Sequence, residues 1–318
     1  MKFKRDFGVI AATFVIGLGV AAGPVAAGDA VVFAKGGKKP GGSDPAPTPT
    51  DPVLYSWMST DLQAAWDDGY TGSGVTMTFV DDFSSRSKYF GNLGDGLSRL
   101  RHGEWTSKQG GMVAPGATIV RDDFYGDEAI SLASGFNVLN LSYGWVETDA
   151  QFLADGFRDL ESSIIAASDG GAFIAKSAGN DTIAVGDLIT SGPYAGTRDQ
   201  LGLALVGGAS VIFVGSLTDN GSGILASYSN YAGELAQDQF LVVSVNSGDT
   251  GLAGTSFAAP IVAGYGAILA SKFTTASPTQ VANQLLNTAT DLGATGVDAI
   301  FGRGEANLSQ ALAPEFIN

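Results

Sequence analysis

Residues 253–270 read AGTSFAAPIVAGYGAILA, a run with no charged side chain. A helix built from residues 257–270 is apolar on every face, which describes a helix covered on all sides rather than one lying on a surface. Pro260 limits where it begins, because proline is tolerated in a first turn but not further in, so the start falls at about Thr255 to Phe257. Ser256 then sits at a helix N-terminus, beside orphan amide donors and the positive end of the dipole. Two readings of that serine stand side by side here: an ordinary helix cap, and a nucleophile.

A helix covered on all sides needs layers around it, and the flanking sequence supplies them. Strand-like runs occur at 75–80 (VTMTFV), 117–120, 136–144, 172–179, 211–217 and 240–245. Helical patterns occur at 59–68, 102–109, 126–134, 149–168, 256–272 and 278–288, the last with Ser277 as cap and Pro278 at its first position. Several strands are apolar on both faces, the mark of a sheet covered on both sides. The alternation predicts an α/β fold, three layers deep, with a mostly parallel central sheet and helices on both faces. One domain covers residues 53–318.

In such a sheet ligands bind outside the carboxyl ends of the strands. Four places there carry chemistry: Asp81 and Asp82 after VTMTFV, His102 in HGEWTSKQ, Asn180 and Asp181 after AFIAKSAG, and Ser256. A lone histidine is usually structural and a strand-end aspartate is usually a cap. Together, however, an acid, a base, an amide donor and a hydroxyl are the parts needed for acyl transfer through serine. The hydroxyl needs a base to take its proton, the base needs an acid to hold its tautomer, and the intermediate needs a donor for its oxyanion.

Composition narrows the choice. The chain has 318 residues, 45% hydrophobic and 15% charged, with a formal net charge of -15, so a nucleic-acid partner is not expected. It has no cysteine, which excludes thiol nucleophiles, disulfides and thiolate metal sites together. The first residues place Lys2, Lys4 and Arg5 before an uncharged apolar stretch that ends in Val25, Ala26 and Ala27. That layout predicts a signal peptide over 1–27, a secreted protein and no stable membrane span after cleavage. Residues 28–52 are expected to be a linker, Gly/Pro-rich in GGKKPGGSDPAPTPTDP at 36–52.

These segments resemble the subtilisin-like serine peptidases, in that family's chain order of Asp, His, Asn and Ser. AGTSFAAPIVAG (253–264) resembles the nucleophile motif, DDGYTGSGVTMTFVDD (67–82) the lead-in to the triad acid, RHG (101–103) the histidine motif and KSAGND (176–181) the oxyanion segment. GMVAPGATI (111–119), NVLNLSYG (137–144) and FGRGEANLSQAL (301–312) are similar to linking segments, so the resemblance covers about residues 55–312. It implies Ser256 as nucleophile, His102 as base, Asp81 as its acid partner and Asn180 as oxyanion donor. It also implies that Ser142, Tyr143 and Gly144, with Ser177, Ala178 and Gly179, flank the S1 pocket. There a bound protein or peptide substrate pairs as an added strand, and Tyr143 either narrows a subsite or belongs to the core. Catalysis of this kind needs no cofactor. Family members often hold structural Ca²⁺, but no spaced carboxylate loop here names a site.

The chain departs from the family pattern at Asp82 and Phe83 after the acid and at Glu104 and Trp105 after the histidine. Glu104 either supports a positive charge on His102 or faces solvent at a helix start. Residues 28–52 are also too few for the folded pro-segment that secreted members carry. Two functions therefore remain: a secreted serine endopeptidase, and a catalytically impaired relative that binds peptides or serves a structural role outside the cell. An α/β cofactor-binding domain fits less well, since GSGVTM precedes its strand instead of following one.

Overall fold

The computed structural model describes residues 9–11, 51–219 and 221–317. The expected signal peptide and linker therefore lie almost wholly outside the described residues. Six strands form the central sheet: β1 (Val75–Asp81), β2 (Thr118–Asp123), β3 (Phe136–Leu141), β4 (Phe173–Ser177), β5 (Val211–Leu217) and β6 (Phe240–Ser244). Their spatial order is β6-β5-β4-β3-β1-β2, and every pairing is parallel.

Alternate side chains of each inner strand enter different cores, which is why these runs read as apolar on both faces. In β4 and β5, Phe173, Ala175, Ile212 and Val214 join one core, while Ile174, Val211, Phe213 and Leu217 join the other. On the first face lie α2 (His102–Val113), α6 (Ala259–Lys272) and α7 (Pro278–Asn287), and α1 (Asp61–Asp67) and α8 (Leu308–Leu312) join the same core. The second face is covered by α4 (Asp159–Ala167) and α5 (Gln200–Leu205). The helix α3 (Asp149–Asp155) buries none of its residues. In α6 every residue from Ala259 to Ala270 is buried, as an uncharged run requires. Pro260 sits in its first turn and a short 3₁₀ turn, Thr255–Phe257, leads into it.

The chain order places the site. After β1 the chain moves outward to β2, then returns across β1 to β3 and continues to β6. The order reverses at β1 and β3, so a crevice opens beyond their carboxyl ends, where Asp81 ends β1 and Ser142 follows β3.

Three expected elements differ. Residues 126–134 form no helix, because their backbone groups bond to side chains: Ile130 N to Ser163 Oγ at 2.9 Å and Ala133 N to Asn137 Oδ1 at 2.9 Å. The expected helix at 149–168 is split into α3 and α4 by Gly156, whose φ of 66° is open to glycine. The run 136–144 divides at Ser142, and Tyr143–Glu147 leaves the main sheet as a separate strand. That strand pairs antiparallel with Arg198–Asp199, and also with Val9–Ala11, whose residues oppose Trp145, Gly144 and Tyr143.

Candidate active site

Asp81 closes β1 and His102 opens α2, and the two side chains meet in the crevice. His102 Nδ1 lies 2.6 Å from Asp81 Oδ1, and both residues are buried. The carboxylate is held from two further directions, by the amide of Asp82 on Oδ1 at 2.6 Å and by the Thr106 hydroxyl on Oδ2 at 2.8 Å. Thr106 stands one turn along α2 from His102, so the helix that presents His102 also holds Asp81. Burial by itself draws the His102 pKa down. The charge of Asp81, its hydrogen bond and the charge of Asp82 outweigh that, and the pKa stands above the ordinary imidazole value.

With Nδ1 committed to Asp81, His102 Nε2 is buried and has no hydrogen-bond partner. Buried polar atoms without partners are uncommon and call for an explanation. The ring stands 5.6 Å from the ring of Phe257, the residue after Ser256, so the 3₁₀ turn carries the serine to the same place. Ser256 is not a cap. Its hydroxyl donates to the Ser142 carbonyl at 3.2 Å, and neither the 3₁₀ turn nor α6 uses it at its start.

Asn180 follows β4 and is oriented by Thr255. Its Oδ1 accepts from Thr255 N at 2.9 Å and from Thr255 Oγ1 at 3.1 Å, which leaves Nδ2 buried and without a partner. Gly254, at φ 128° and ψ 151°, lets the chain pass this amide, since a Cβ there would lie 3.3 Å from Nδ2.

Of the six residues expected to flank the S1 pocket, five line one cavity: Tyr143, Gly144, Ser177, Ala178 and Gly179. Ser142 does not. Its hydroxyl accepts from Asn140 Nδ2 at 2.9 Å and donates to the Ser256 carbonyl at 2.9 Å, so it props the turn that bears Ser256. The Tyr143 hydroxyl donates to Glu161 at 3.3 Å and its ring packs on Phe124 in the second core.

The atypical residues have structural work. The Glu104 carboxylate accepts from Arg101 N at 2.7 Å and pairs with the Arg101 guanidinium at 3.0 Å, capping α2 rather than facing His102. Burial lifts the Glu104 pKa, but the bond from Arg101 and the charges of Arg101 and Lys88 bring it below the usual carboxylate value. Trp105 is buried and donates to Tyr89 O at 2.9 Å. Phe83 lies over Gly103, where a Cβ would come within 2.8 Å of its ring. Asp82 is buried and accepts from Ser85 N at 2.8 Å and from the Ser85 hydroxyl.

Sequence reasoning did not single out Thr106, or the buried Lys176 and the half-buried Asp199 paired with it, which line the same cavity. The lysine had a signal, a lone charge inside the apolar strand AFIAKSAG. Among the described residues no group of three His, Asp or Glu side chains is placed to hold a metal, and no helix is long and apolar enough to cross a membrane.

Comparison with known proteins shows the chain's family. The model of the subtilase family of peptidases matches residues 91–304, a span that holds His102, Asn180 and Ser256 and begins after Asp81. An extracellular serine protease of Serratia marcescens is 38% identical over 99 residues, which make up 31% of this chain and 9% of that protein. Subtilisin DY of Bacillus licheniformis is 40% identical over 107 residues, 32% of this chain and 37% of that one. The matched segments thus span well under half the length of these relatives. Among solved structures, the prenylagaramide maturation protease PagA aligns with a TM-score of 0.52 at 19% identity, over 80% of this chain and 98% of that one, which speaks for the fold.

Proposed function

The chain belongs to the subtilase family and is a serine-type peptidase, and from that premise we propose that it is a secreted endopeptidase using Asp81, His102 and Ser256 as its triad and Asn180 as oxyanion donor. The observation that carries this reading is the bond of His102 Nδ1 to Asp81, which leaves a buried, unpartnered Nε2 beside the turn bearing Ser256. A base that orients one nitrogen on an acid and keeps the other free has an acceptor ready for the serine proton.

In the proposed sequence a peptide pairs along Tyr143–Trp145 with its scissile carbonyl at Ser256. Antiparallel pairing of the chain's own residues Val9–Ala11 with that edge supports its use as a strand acceptor. Ser256 Oγ turns from the Ser142 carbonyl, attacks the carbonyl carbon and gives its proton to His102 Nε2. The new oxyanion takes the unpartnered Nδ2 of Asn180. The C–N bond then breaks as His102 protonates the leaving amine, and water, activated by the same base, releases the acyl group from Ser256. These steps call on no cofactor. The apolar leader in the sequence and the extracellular protease among the relatives support secretion.

A fluorophosphonate probe tests the reading without a known substrate. A serine with a neutral imidazole in reach reacts, and one without a base stays inert. Labelling confined to Ser256, and lost in Ser256→Ala and His102→Ala, is the expected result. A protein with a cooperative thermal transition that takes no label and cleaves no casein would favour the impaired, peptide-binding relative instead.

A further inference from the structure

A charge pair lines the cavity beside Asn180. Lys176, on β4, is buried, and its Nζ lies 2.8 Å from Asp199 Oδ2 and donates to Ser177 O at 2.9 Å. Asp199 is fully engaged at its other oxygen, which accepts from Trp145 N and from Gly202 N, each at 3.0 Å, the second as the cap of α5. The substrate edge lies directly against this carboxylate: a Cβ on Gly144 would come 3.1 Å from it. Ala178, Val185, Ile189 and Phe213 give the same cavity apolar walls, and Asp181 and Asp187, which also line it, are exposed.

An ammonium has three donors, and these contacts use two. We propose that the remaining donor of Lys176 sets the P1 preference, so that the pocket favours a neutral side chain with an apolar stem and a terminal hydrogen-bond acceptor, glutamine above all. The inference rests on the peptidase reading above. A P1 lysine or arginine brings a second cation to a buried ammonium, where like charges are poorly screened. A P1 glutamate competes with Asp199 for Lys176 in a cavity that Asp181 and Asp187 also line. Leucine or phenylalanine fills the apolar walls but leaves the third donor desolvated and unpaired, which is the more damaging outcome for a buried polar group. The glutamine side chain covers the walls with its methylenes and presents its amide oxygen to Nζ.

The test is a set of peptide substrates identical except at P1, with Gln, Leu, Phe, Lys or Glu. Wild type is expected to show kcat/KM for Gln exceeding that for Leu by about tenfold, the worth of one buried hydrogen bond to a charged donor. In Lys176→Met the Gln/Leu ratio should fall to one or below. Because that change leaves Asp199 without its cation, the double variant Lys176→Met/Asp199→Asn is measured too, the asparagine Oδ1 keeping the bonds from Trp145 N and Gly202 N. Fluorophosphonate labelling of Ser256 is run on each protein to separate two kinds of failure. Labelled protein that prefers Leu, Phe, Lys or Glu, or a Gln/Leu ratio that survives in the variants, overturns the P1 assignment and leaves the peptidase reading intact. Folded protein that neither labels nor cleaves overturns both.

Discussion

Ser256 and Ser142 hold each other through reciprocal bonds: Ser256 Oγ donates to the Ser142 carbonyl at 3.2 Å, and Ser142 Oγ donates to the Ser256 carbonyl at 2.9 Å. In the proposed mechanism the first bond is given up when the Ser256 hydroxyl turns to His102 Nε2. The second bond need not break. It fixes the backbone of the turn while the side chain moves.

Ser142→Ala should therefore affect stability more than chemistry. The change leaves the Ser256 carbonyl and Asn140 Nδ2 buried without this partner, a loss of about 1–3 kcal/mol. Urea unfolding would show it as a lower midpoint at unchanged slope. The kcat should fall no more than roughly tenfold, because the hydroxyl meets no reacting atom. A kcat loss approaching that of Ser256→Ala would show that Ser142 takes a direct part in the reaction.

Asn180→Ala removes the buried donor, and kcat is expected to fall about 10²–10³-fold with KM nearly unchanged. That magnitude is the one known for removing an oxyanion donor from subtilisin itself, not a value obtained from this site. Alanine also releases Thr255, so Asn180→Asp is the sharper variant. It keeps an acceptor for Thr255 N and Oγ1 but places a carboxylate oxygen where Nδ2 stood. Its kcat should be at least as low as that of the alanine variant while its thermal midpoint stays closer to wild type. Wild-type kcat in either variant removes Asn180 from the oxyanion role.

Much of this site could be read from the chain because its parts follow strands. Asp81 ends β1, Ser142 and Asn180 stand just beyond β3 and β4, and a parallel sheet gathers such positions at one edge whatever their distance in sequence. The buried helix α6 was legible for a similar reason, since an uncharged run has one comfortable environment. The Lys176–Asp199 pair was not, because it depends on how Arg198–Asp199 docks on Tyr143–Glu147, a tertiary contact with no local pattern. The failed helix at 126–134 has the same origin: its composition permits a helix, but Ser163 and Asn137 offer its backbone other partners.

The strand Val9–Ala11 on the edge Tyr143–Trp145 occupies the pairing positions proposed for substrate. An attached competitor acts at an effective concentration on the order of millimolar. Protein beginning at Gly28 should then show a KM for extended peptides severalfold below that of the full chain, with kcat unchanged. Equal KM values in the two forms would mean that substrate does not use this edge.

The pH dependence follows from the raised pKa of His102. Catalysis needs the imidazole neutral, so kcat/KM should fall on acidification through one protonation, with a midpoint above the usual histidine value of about 6.5. Stability runs the other way. A folded pKa above the unfolded one adds stability that is complete below the unfolded value and is lost as pH rises through the folded value, so the active form is the one from which this contribution has gone. Asp82 separates this account from a simple Asp81–His102 pair. Its charge helps raise the His102 pKa, yet its carboxylate bonds only to Ser85 among the contacts described for it. Asn at position 82 retains an acceptor for Ser85 and removes the charge. In Asp82→Asn the acid limb of kcat/KM should therefore move to lower pH while the plateau at high pH changes little. The chain's single histidine makes the check direct, since one imidazole resonance, followed by NMR across the same pH range, must shift its midpoint by the same amount and in the same direction. An acid limb that stays in place while the imidazole midpoint moves would mean that another group controls the rate.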